Sequence, residues 1–87
     1  MLKKIILVED DRDCSIILKK VLTDAGYQVD TLSEGSSIVA NNFSLPDIFI
    51  FDNFMPMIHG IALCKFLKLQ ATTKAIPVII ISANKQL

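Results

Sequence analysis

The acidic residues of this chain are unevenly placed. Glu9, Asp10, Asp11 and Asp13 fall within five positions, directly after the apolar run Ile5-Ile6-Leu7-Val8. Asp52 closes a second run, Ile48-Phe49-Ile50-Phe51, and Ser82 follows a third, Val78-Ile79-Ile80-Ile81. Carboxylates brought together repel one another and raise each other's pKa values. A hard divalent cation relieves that repulsion, and oxygen ligands on a partly hydrated octahedron suit Mg2+. A carboxylate in such a setting can act as a nucleophile toward phosphorus, giving an aspartyl phosphate. The cation neutralises charge on the transferring group and holds it in line. A hydroxyl at Ser82 would hydrogen-bond a phosphoryl oxygen. These parts fit phosphoryl acceptance, provided the three runs deliver their polar ends to one place.

The runs read as strands. Ile5 to Val8 is continuously apolar and mostly β-branched, as suits a strand covered on both faces of a parallel sheet. Residues 12 to 25 change period: Ile17, Val21 and Ala25 with Leu18 and Leu22 recur at helical spacing, opposite Lys19, Lys20, Thr23 and Asp24. Gly26 sits where a C-terminal cap belongs, and an acid at Asp11 or Asp13 suits the N-terminus. Tyr27 to Leu32 predicts a more polar strand, as at a sheet edge. Glu34 to Asn42 predicts a short helix, Ile48 to Phe51 a strong strand after Pro46, and Ile61 to Leu69 a helix. Pro77 opens the last strand, which runs into Ser82-Ala83. The order βαβαβαβ implies an open α/β sheet with parallel pairing through right-handed crossovers. In such sheets ligands collect at the carboxyl ends of the strands, where the winding reverses. Glu9-Asp10, Asp52 and Ser82 all fall on that edge.

Eighty-seven residues suit one domain, spanning 1–87. With nine basic and nine acidic residues the formal charge is zero, so neither nucleic acid nor an anionic membrane finds support. A hydrophobic content of 52% argues for a compact core and against disorder. Cys14 and Cys64 lie far apart, with no metal-like spacing, and read as small buried hydrophobes inside helices. The basic start Lys3-Lys4 precedes too short an apolar run for a signal peptide or a membrane span, so the chain reads as cytoplasmic.

Three blocks carry a resemblance: IILVEDD (Ile5 to Asp11), PDIFIFDNFMP (Pro46 to Pro56) with Gly60 four residues on, and IPVIIISA (Ile76 to Ala83). In this order and spacing the chain resembles the receiver domain of two-component response regulators, over essentially its whole length. The resemblance implies a flavodoxin-like doubly wound sheet of strand order 2-1-3-4. It implies that Asp52 is the phosphoacceptor, served by a sensor histidine kinase or phosphotransfer protein. Mg2+, or else Mn2+, would be held by Glu9, Asp10, Asp52 and the backbone carbonyl of Phe54, with Asp10 the more direct ligand of the acidic pair. Ser82 would sense the phosphoryl group, and Phe54 and Asn84 would tune its lifetime. Such a domain signals and is not itself an enzyme.

There are two departures from the family pattern. His59 stands where the family often has Asp or Asn, and reads as a surface or capping variant. The lysine that follows the next strand in the family has no counterpart, and neither Lys74 nor Lys85 takes its place. The usual fourth helix, fifth strand and fifth helix are missing from the 87 residues. That leaves Val78 to Ile81 as an apolar sheet edge, which predicts self-association through the fourth strand or an exchange of elements between chains, the alternative being that the 87 residues are a fragment of a longer protein. Two other functions stay open: a receiver-shaped interaction module with impaired phosphorylation, and a phosphatase or phosphotransferase using Asp52. The second lacks the acid such enzymes often carry two residues on, where Phe54 stands.

Overall fold

The computed structural model describes residues 2–55 and 57–81. Seven elements alternate: β1 (Lys4–Val8), α1 (Arg12–Asp24), β2 (Gln28–Leu32), α2 (Ser36–Val39), β3 (Ile48–Asp52), α3 (Gly60–Lys68) and β4 (Val78–Ile81). All pairings are parallel and the sheet order is β2-β1-β3-β4, as expected. The winding reverses between β1 and β3, where Val8 lies beside Phe51.

Side-chain alternation divides β1 between two layers. Ile6 and Val8 join Phe49, Phe51, Ile38, Leu63 and Leu67 on the face covered by α2 and α3. Ile5 and Leu7 join Val29 on the face covered by α1, through Leu18 and Leu22. Phe49 anchors the first layer, with Phe43 edge-on at 5.6 Å and Phe51 tilted against it at 5.4 Å. The helix α1 lies over β1 and β2. Its inward stripe is narrower than the apolar spacing predicts: Ile16, Ile17 and Val21 are all more than half exposed, and Ala25 is exposed. The apolar arc of the helix is wider than the strip of sheet beneath it.

Chain reversals follow local chemistry. Asp11 caps α1, its Oδ1 accepting from the Cys14 N–H at 3.1 Å. At the other end Gly26 adopts φ 101°. The Gly26 N–H donates to Thr23 and the Tyr27 N–H to Leu22, the paired bonds of a Schellman cap. The helix α2 stops earlier than the expected Asn42, because Asn41 turns left-handed at φ 56°. The same two bonds recur there, from Asn41 to Ile38 and from Asn42 to Ser37.

Candidate functional site at the carboxyl edge of the sheet

The ends of β1 and β3 lie side by side at the winding reversal, and both carry acids there. Glu9 follows the last residue of β1 and is 3% exposed; Asp52 ends β3 and is fully buried. Asp10 is exposed. One carboxylate oxygen from each of Glu9, Asp10 and Asp52 lies within 4.8 Å of the others. Two buried acids beside a third need a stabiliser of negative charge. Backbone donors supply part of it: the Phe54 N–H donates to Asp52 Oδ1 at 3.1 Å, and the Asp11 N–H to Glu9 Oε1 at 3.2 Å. The all-oxygen donor set, close-packed and net negative, also fits a hard octahedral cation such as Mg2+. The sequence-based expectation that these three acids converge therefore holds in the geometry.

The floor of the site is closely packed. Gly60, the first residue of α3, presses against the end of β3. A Cβ there would lie 2.9 Å from the Asp52 carbonyl oxygen and 3.2 Å from the Asn53 Cα. Only a residue without a side chain allows that approach. Met55, 2% exposed, plugs the turn after β3 into the core, whereas Phe54 between them is 52% exposed.

His59 is exposed, in line with the surface reading, but it does not cap. It occupies the N-cap position of α3, yet its side chain makes no capping bond. Its Nδ1 lies 3.0 Å from the Asn53 carbonyl oxygen instead. A carbonyl only accepts, so Nδ1 carries the proton. The cap comes from Asn53, whose Oδ1 accepts from the Ile61 N–H at 3.3 Å. Asn53 went unnoticed in the sequence, because its partners lie six and eight positions away and no local spacing marks them. Ser82 and Asn84 lie outside the described residues. Cys14 and Cys64 are half-buried within α1 and α3 and form no disulfide. No helix among the described residues is long and apolar enough to cross a membrane.

Residues 5–87 match the family model described as the response regulator receiver domain. The chain belongs to that family. It is 36% identical over 85 residues to the phosphate regulon transcriptional regulatory protein PhoB of Rhizobium meliloti (strain 1021), covering 97% of this chain and 37% of that protein. Among solved structures, a putative response regulator from Chloroflexus aurantiacus J-10-fl superposes with a TM-score of 0.89 at 30% identity, covering 100% of this chain and 72% of the other. The phosphorylated cyanobacterial phytochrome response regulator RcpA superposes with a TM-score of 0.84 at 27% identity, covering 99% and 69%. The receiver thus spans well under half of its curated relative, and it belongs to two-component signalling.

Proposed function

We propose that residues 1–87 act as one receiver unit in which Asp52 accepts a phosphoryl group from a histidine kinase or a phosphotransfer protein. The observation that carries this reading is the meeting of the Glu9, Asp10 and Asp52 carboxylates within 4.8 Å at the winding reversal. In the transfer, an Asp52 oxygen forms the O–P bond as the P–N bond to the donor imidazole breaks, and the electron pair leaves with that imidazole. Glu9, Asp10, Asp52 and the Phe54 carbonyl would hold Mg2+, with Mn2+ the next best fit to the same oxygen set. When bound, that cation supplies charge neutralisation for the transferring group. The Phe54 N–H, already 3.1 Å from Asp52 Oδ1, orients the accepting carboxylate. Exposed Phe54, two residues after Asp52, would tune water access to the phosphoryl group by its side-chain bulk. Ser82 and Asn84 keep the roles implied by the family pattern.

Support for Asp52 in particular comes from its place: the last residue of a central strand, fully buried yet beside two other acids. The zero formal charge gives no support to a nucleic-acid partner for this domain. A second part of the proposal concerns β4, the apolar one of the two edge strands among the described residues, which would pair with β4 of a second copy.

The deciding experiment is Mg2+ titration followed by beryllofluoride, a phosphoryl mimic, on wild type and Asp52→Asn, read by backbone NMR shifts. Wild type should respond to both, and Asp52→Asn should lose the beryllofluoride response. Equal beryllofluoride responses in the two proteins would refute the assignment of Asp52. Mg2+ binding without any beryllofluoride response would favour the interaction module instead.

A further inference from the structure

From the bonds around residue 53 we infer that Asn53 and His59 form a positioning pair that sets the turn carrying the Phe54 carbonyl, and through it the strength of divalent-cation binding. The inference rests on the proposed Mg2+ site. Asn53 is held by three partners, one on β4 and two at the start of α3. Its N–H donates to Ile81 of β4 at 2.8 Å. Its carbonyl accepts from His59 Nδ1 at 3.0 Å, and its Oδ1 accepts from Ile61 in the first turn of α3 at 3.3 Å. Residue 53 therefore ties β3 to β4 and to the start of α3.

The consequence falls on the next peptide. The Phe54 side chain is 52% exposed, so burial does little to hold this residue. Its backbone course is set by its own N–H bond to Asp52 Oδ1 and by what lies on either side: the three-bonded Asn53 before it and buried Met55 after it. A metal ligand gains affinity when outer partners hold it ready, and a main-chain carbonyl has no rotamer of its own to adjust. The usual N-cap arrangement would have the helix cap itself. Here the capping oxygen is moved to residue 53, and His59 returns a bond to the same residue. That exchange couples the entry of α3 to the metal-binding turn.

The test uses four variants with Mg2+ titration, and amide hydrogen exchange of the metal-free protein as a separate readout. Asn53→Ala removes the capping oxygen, and His59→Phe keeps a ring but no donor. His59→Asn keeps a donor close to the Nδ1 position, and the double variant Asn53→Ala/His59→Phe reports coupling. Each single loss should weaken Mg2+ binding by about tenfold, the effect usual for an outer partner of a metal ligand. His59→Asn should bind like wild type, and the double variant should bind more weakly than either single, because Asn53→Ala removes the bond to Ile61 and His59→Phe removes the separate bond to the residue 53 carbonyl. Exchange at Phe54 and Ile61 should quicken in both single-loss variants without metal. Unchanged Mg2+ affinity in Asn53→Ala and His59→Phe, or equal losses in His59→Phe and His59→Asn, would overturn the positioning role. No Mg2+ binding by wild type would instead overturn the site reading, and the inference with it.

Discussion

Two glycines separate two kinds of constraint at the scale of single residues. At Gly60 the limit is space: a Cβ meets backbone on β3 at 2.9 Å, and backbone cannot swing aside as a side-chain tip can. Gly60→Ala should therefore push the start of α3 away from Asp52. We expect a loss of roughly 1–3 kcal/mol of stability in urea denaturation, together with weaker Mg2+ binding at the proposed site, because α3 packs directly against the backbone of Asp52. At Gly26 a Cβ would meet nothing within 4 Å, and the limit is the backbone alone, at φ 101°. Gly26→Ala should cost about 1–2 kcal/mol from the left-handed conformation and leave Mg2+ binding untouched. A Gly60→Ala protein as stable as wild type would show that α3 can shift freely against β3.

The element scale separates what spacing reveals from what only the folded chain contains. Ile5 to Val8 and Ile48 to Phe51 were legible as strands because a strand covered on both faces needs side chains apolar at every position. The meeting of the acids placed straight after such strands was legible too, since parallel strands put their ends together. The inward face of α1 was not legible: Ile17 and Val21 fit the helical period as well as Leu18 and Leu22 do, and only the width of sheet beneath the helix chooses between them. Nor was the return from α3 to β4, where buried Thr73 donates to the Leu67 carbonyl at 2.6 Å across six residues. Asp11, by contrast, is a local signal that the structure bears out. Asp11→Ala should cost about 1 kcal/mol through the lost cap. It should spare the Glu9 contact, which uses the residue 11 backbone N–H. Thermal unfolding beside Mg2+ titration checks both halves, and a loss of Mg2+ affinity matching the loss of stability would show that cap and site are one unit.

For the molecule as a whole, the two faces of the sheet are unequally covered, and the inequality reaches its limit at β4. α2 and α3 close one side over Phe49 and Phe51. On the other side α1 covers β1 and β2, while Ile48 and Ile50 stay half-buried and Ile79 is 48% exposed. β4 bonds inward to β3 through alternate residues, with the Pro77 and Ile81 carbonyls accepting from Phe49 and Asn53. By that alternation Val78 and Ile80 turn their N–H and C=O groups outward. Val78-Ile79-Ile80-Ile81 has no charged residue to discourage a second strand. A two-fold pairing of β4 with its copy would satisfy those groups and bring two Ile79 side chains into shared cover. Zero formal charge adds no long-range repulsion between copies. Sedimentation over a wide concentration range should then show mass rising toward that of two chains. Ile79→Lys, which places a charge on this half-exposed face, should hold the protein at one chain while its Mg2+ affinity stays unchanged. A single-chain mass for wild type at every concentration would remove β4 as a self-pairing edge without touching the reading of Asp52, because that reading rests on three carboxylates meeting at the carboxyl ends of the strands and not on the outer side of β4.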